Sequence, residues 1–175
     1  LYEDLLPLEN GTTYNAYMVV GSRMTALIDT VPLIKNKQLI RNIKESELAD
    51  PDYIVMLRAQ EDYAESLPEL LYYFPKAKIV CSEQLKACIL EQVSIDAASF
   101  TIAEDGDTLD LGGKTLQLNV LTYSDSLRLH SVWLEEDRIL FSGFIFSAHY
   151  SDDNVFATFG SEEATAAKQY YATQI

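Results

Sequence analysis

Positive charge is scarce in this sequence. Thirteen Lys and Arg stand against 27 Asp and Glu, a formal net charge of -14. A field of that sign repels phosphate backbones and anionic headgroups, which argues against nucleic acid and membrane surfaces as partners. Long apolar runs are missing too. The most apolar stretches, around residues 139–146 and 14–20, fall far short of the ~18 residues a membrane-spanning helix needs. No basic-then-apolar leader opens the chain, so a cytoplasmic location is expected, and a first residue of Leu1 rather than Met is consistent with a trimmed fragment. Cysteine is limited to Cys81 and Cys88, spaced neither as a redox pair nor as zinc ligands and too few for a disulfide framework. They read as reduced thiols, one ending a strand and one on a helix face. Histidine is limited to His130, expected to face outward from a strand, and His149, expected to be structural. A G-x-S-x-G elbow is absent, which removes a Ser-His-Asp hydrolase, and Gly106, Gly112 and Gly113 read as turn residues rather than a phosphate cradle.

What is present is a chain of 175 residues, 48% of them hydrophobic, enough for one sizeable core and one domain over 1–175. "YNAYMVV" (14–20) and "MTALIDT" (24–30) are rich in β-formers and joined by "GSR", which predicts a hairpin. "LIKNKQLIRNIKE" (33–45) predicts a helix, with Ile34, Leu39, Ile40 and Ile43 at helical spacing. A buried strand follows in "DPDYIVMLR" (50–58), then a helix in "AESLPELLYYF" (64–74), where Pro68 is tolerable only in the first turn, so the helix starts near Glu65 or Ser66. Tyr72, Tyr73 and Phe74 are expected to pack that helix end on a sheet. "KAKIVCS" (76–82) is a strand, and Ser82 caps the next helix, "EQLKACILEQV" (83–93). Two hairpins follow, in 108–121 around Gly112-Gly113 and in 130–143 around Glu135 to Arg138, before a Ser-capped helix over 161–172. Helices alternate with strands first and strands cluster later, an order suited to two mixed sheets with helices outside.

Taken in order, "GTTYNAYMVV…TALIDTV", "DPDYIV", "SLPELL", "FPKAKIVCS", "EDGDTLDLGGKTL", "DRILFSG" and "EEATAAKQYYA" resemble the metallo-β-lactamase-type domain of flavodiiron proteins, the oxygen and nitric oxide reductases, and of their oxygen-binding di-iron relatives. The resemblance covers essentially the whole chain. It implies an α/β fold, an αββα metallo-β-lactamase-like sandwich of two mixed sheets flanked by helices. It also implies that the family's counterpart continues past this C-terminus, since its last His ligand lies beyond residue 175.

In such proteins the loop after the "DYIV" strand carries H-x-E-x-D-H, whose imidazoles and carboxylates converge on two irons. Through the flanking "SLPEL", the resemblance puts Arg58 at the first His, Gln60 at the Glu, Asp62 at the Asp and Tyr63 at the second His. Counted back from "DRILFSG", Asp125 falls near the next His, with Tyr123 and His130 as alternatives for that place. Phe144 stands at the bridging Asp. An emptied site of this kind leaves carboxylates in a partly buried pocket, which must be protonated or given a positive partner. Arg58 is suited to that part, bridging Asp62 and Asp125 with Gln60 or Tyr63 taking further hydrogen bonds and Phe144 closing the floor.

The leading expectation is therefore a degenerate relative, metal-free and non-catalytic, with no cofactor, kept as an interaction or regulatory module in a homodimer or with a protein partner. The alternative is a metal-dependent oxidoreductase or hydrolase with iron or zinc in a remodelled site around Asp62 and Asp125. A third is redox partnership, because flavodiiron proteins are head-to-tail dimers in which a flavodoxin-like domain of one chain serves the iron site of the other; no such flavin domain is encoded in these 175 residues.

Overall fold

The computed structural model describes residues 13–122, 128–143, 160–161 and 164–168. The chain divides into two compact units, residues 15–144 and residues 1–14 with 145–175. In the larger unit, β1 (Tyr17–Val20) and β2 (Thr25–Ile28) form the predicted hairpin, antiparallel with Tyr17 opposite Ile28. Its turn is tight because Gly21 meets another piece of backbone: a Cβ there would lie 2.1 Å from the Leu111 carbonyl oxygen. The N–H groups of Arg23 and Met24 both donate to that same oxygen.

From β2 the chain makes three parallel crossovers, through β3 (Tyr53–Val55), β4 (Lys78–Cys81) and β5 (Phe100–Ile102), completing a five-stranded sheet in the order β1-β2-β3-β4-β5. The connections carry α1 (Leu33–Glu45), then α2 (Glu61–Ala64) and α3 (Leu67–Tyr73), then α4 (Glu83–Gln92). Because the strand order advances in one direction, right-handed crossovers set all these helices on one face. Leu27, Ile54 and Ile79 are aligned across β2, β3 and β4 and wholly buried, as a parallel sheet covered on both sides requires. The opposite face, with Ala26, Ile28, Val55 and Val80, shares a core with Leu116, Leu118, Val132 and Leu134 of the second sheet. That sheet runs β6 (Thr108–Asp110), β7 (Thr115–Thr122), β8 (Arg128–Leu134) and β9 (Ile139–Phe141). Among the described strands its pairings are antiparallel.

Several elements depart from their predicted form. A short separate helix, α2, precedes the helix predicted over 64–74, which is α3, with Ser66 before it and Pro68 in its first turn as expected. Its end does not pack as expected: Phe74 is buried but Tyr72 and Tyr73 are exposed. On α1 the buried stripe is Asn36, Ile40 and Ile43, an i, i+4, i+7 line, and Ile34 lies off it at 87% exposure. Strand β5, three residues long, and the 3₁₀ turn Ala97–Ser99 before it are too short to register as a pattern. His130 faces inward rather than outward, since 130, 132 and 134 share one face of β8 and Val132 and Leu134 are core residues. In the smaller unit Ser161 and residues 164–168 are helical; Ser161 lies inside the helix rather than capping it, and the Gly160 carbonyl accepts from the Ala164 N–H.

Candidate functional site

The parallel strands β2, β3 and β4 end at the same level, and the residues just past their ends build the site. Register pairs Ile28 with Val55 and Val55 with Val80, so Asp29, Leu57, Arg58 and Ser82 emerge together. Asp29 leaves β2 with φ +57, a left-handed backbone that Asp tolerates better than most residues. Its N–H still donates to Val55 O at 2.8 Å. The side chain is buried and turns toward the β3 end: Oδ1 accepts from the Leu57 N–H at 2.9 Å and Oδ2 from Arg58 Nε at 3.1 Å.

Arg58 is the centre of a small polar cluster. Its side chain is 14% exposed, against 65% for Arg23 in the pair it makes with Asp110, so this is an interior ion pair and not a surface one. Nη1 donates to Tyr63 Oη at 3.2 Å, and the guanidinium carbon sits 4.4 Å from the Tyr63 ring centroid. Burial pushes the Asp29 carboxyl above its ordinary value, outweighing the opposing pull of Arg58 and of the Leu57 N–H. Tyr17, on β1 beside this cluster, has its phenol pushed up by burial and by the Asp29 charge.

The rest of the loop is tied down by protein groups. Thr30 Oγ1 and Ser66 Oγ both donate to the Tyr63 carbonyl, at 2.6 and 3.2 Å. Asn36 Nδ2 donates to Ser66 O at 3.2 Å and to Glu69 Oε2 at 2.8 Å. From the other side, Gln92 Nε2 donates to Ala59 O at 2.5 Å and to Cys88 O at 3.1 Å. Gln60 precedes α2 with its side chain uncapped, and its Oε1 is buried without a hydrogen-bond partner among the described residues. Asp62 lies in the first turn of α2, where a carboxylate complements the helix N-terminus. Below the loop, Ser82 Oγ accepts from the Leu85 N–H at 3.3 Å, the predicted cap, and lies 2.9 Å from His130 Nε2. Gly143, at φ +59, brings the end of β9 beneath Leu57: a Cβ there would be 2.8 Å from His130 O and 3.4 Å from Leu57 Cβ.

The structure thus brings Arg58 and Tyr63 together, as anticipated, and the carboxylate against Arg58 is Asp29, which the sequence reading missed. Asp125, Phe144, Tyr123 and His149 lie outside the described residues. Iron centres need imidazole nitrogen and carboxylate oxygen. The loop instead presents a guanidinium already paired with Asp29, a neutral amide at Gln60 and a phenol at Tyr63, and the described residues form no group of three or more His, Cys, Asp or Glu able to hold a metal. Among the described residues, this donor set does not fit a di-iron group.

A two-sheet sandwich whose parallel strands end in such a loop is a metallo-β-lactamase-type domain. The sequence model of the ODP family beta lactamase matches residues 12–174, and the chain belongs to that family. The anaerobic nitric oxide reductase flavorubredoxin of Escherichia coli (strain K12 / DH10B) is 34% identical over 151 residues, 83% of this chain and 31% of its own length. A flavorubredoxin homolog from Escherichia coli O157:H7 is equally similar over 36% of its length. Among solved structures, the flavodiiron protein from Giardia intestinalis superposes with a TM-score of 0.86 at 26% identity, covering 94% of this chain and 41% of that one. The rubredoxin oxygen:oxidoreductase from Desulfovibrio gigas gives 0.84 at 26% identity, over 94% and 42%. This chain spans about a third of the length of the curated relatives it matches.

Proposed function

We propose that this chain is a metal-free, non-catalytic metallo-β-lactamase-type module of the flavodiiron kind, acting through protein contacts as an interaction or regulatory element in the cytoplasm, in a homodimer or with another chain. The observation that carries the reading is the buried Arg58–Asp29 pair, stacked on Tyr63. It puts a permanent positive charge, Arg58, at one position and a phenol, Tyr63, at the other where the family resemblance calls for imidazoles. A divalent cation brought there would meet guanidinium repulsion in a setting with little water to screen it. The scaffold around the loop is kept intact, which suits a module whose surface rather than whose chemistry is used.

Metal content tests this directly. Protein expressed with iron or zinc supplementation and analysed by elemental mass spectrometry is expected to hold far less than one metal per chain, bind no flavin, and support no NADH-dependent reduction of oxygen or nitric oxide. Near one iron or zinc per chain would overturn the proposal.

A further inference from the structure

We infer that the Arg58 guanidinium is a built-in internal cation that holds the loop over 56–66 in shape, joining the ends of β2 and β3 to α2 through Asp29 and Tyr63 so that no bound ion is needed. The inference rests on the metal-free reading and adds to it how the loop keeps its form.

Three observations support the role. The pair is interior, with side-chain exposures of 14% and 4% for Arg58 and Asp29, so neither charge is compensated by bulk water and each depends on the other. Asp29 is shared: one oxygen takes the Leu57 N–H and the other the Arg58 Nε–H, which fixes both the backbone and the side chain of consecutive loop residues to the end of a neighbouring strand. Finally, Arg58 uses two different nitrogens for two partners that lie apart, Nε for Asp29 and Nη1 for Tyr63 Oη, with its plane over the Tyr63 ring. A planar fork reaches the two from separate, fixed nitrogens, where an ammonium would have to reach both from one atom. Tyr63 is in turn the residue whose carbonyl receives Thr30 and Ser66, so the guanidinium connects Asp29 to the anchor of the α2–α3 junction.

Amide hydrogen exchange of the whole chain at neutral pH tests the role locally, with thermal melts alongside. In Arg58→Met and in Asp29→Asn, exchange over residues 56–64 should quicken by about tenfold or more while β7 and β8 stay unchanged, because removing one member strands the other. The double variant should lose less than the product of the single effects. Arg58→Lys should remain quickened, since charge alone does not restore both contacts. Wild-type exchange in Arg58→Met, rescue by Arg58→Lys, or single effects that simply multiply would overturn the inference. Should Arg58→Met fail to fold, Asp29→Asn and Arg58→Lys carry the same comparison. A chelator that quickens exchange over 56–64 in the wild type would instead overturn the metal-free reading, leaving the variant comparison to judge Arg58.

Discussion

Ser82→Ala should be far more costly than the loss of an ordinary helix cap. Ser82 Oγ accepts from the Leu85 N–H at 3.3 Å, a long bond that sets the capping contribution near the low end, about 0.5–1 kcal/mol. The same oxygen lies 2.9 Å from His130 Nε2, and both residues are 5% exposed. Taking the hydroxyl away therefore removes a buried contact of the His130 ring, at a cost of about 1–3 kcal/mol more. The sum is roughly 1.5–4 kcal/mol, or a fall in Tm of roughly 3–16 °C for a chain of this size.

Urea unfolding at neutral pH, with m unchanged, reads the loss. The comparison variant is Asp96→Ala, which removes a side-chain cap on the Ala98 N–H of an exposed 3₁₀ turn and strands nothing. Adding His130→Leu to Ser82→Ala should return part of the loss, because replacing both members of a buried polar pair by apolar groups is close to neutral. A Ser82→Ala protein no less stable than Asp96→Ala would refute the reasoning, and so would a double variant worse than the sum of its parts.

Two further outcomes are expected. Burial pushes the Cys81 thiol up to about 12, while Cys88 is exposed on α4; a thiolate-specific reagent should therefore titrate one thiol in the native protein and two in denaturant, and two fast native thiols would contradict the burial. Burial also holds the Asp29 carboxyl above its ordinary 3.8, so the folded state keeps that proton more tightly than the unfolded chain. Its contribution is then fully present below 3.8 and is lost as pH rises through the folded value. The stability of the wild type relative to Asp29→Asn should fall as pH rises across that window in a urea series, and a difference that grows with pH would mean that Arg58 and the Leu57 N–H outweigh burial.

Much of the fold was legible because its elements carry their own periodicity. The α1 bounds, the β1–β2 hairpin, the Ser82 cap and the Glu135 to Arg138 turn follow from local pattern and turn chemistry alone. What was lost depends on packing between elements. Asn36 sits on the buried stripe of α1 because Ser66 O and Glu69 need its amide, and no spacing rule announces that exchange of Ile34 for an amide. His130 was misplaced for a different reason: the alternation of His130, Val132 and Leu134 was there to read, but a polar residue was assigned outward by type, and its partner is 48 residues away at the cap of α4.

The same distinction explains the site. A motif reading looks along the loop, so Asp62, four residues from Arg58, was the natural partner, and Asp29 was passed over as the end of a strand. Parallel pairing brings the residue more distant in sequence to within 3.1 Å of Arg58 Nε. With Ile28 beside Val55, the residue after β2 comes level with the start of the loop after β3, and a left-handed φ at Asp29 swings the carboxylate toward it. The signal was available in "LIDT" and "DYIVMLR" as adjacent parallel strands, one ending in a carboxylate and the other in a guanidinium. Since Asp29 holds the Leu57 backbone as well as Arg58, the carboxylate serves the loop's backbone whatever residue stands at 58. On the proposal above, Arg58 supplies the charge and a second contact to Tyr63.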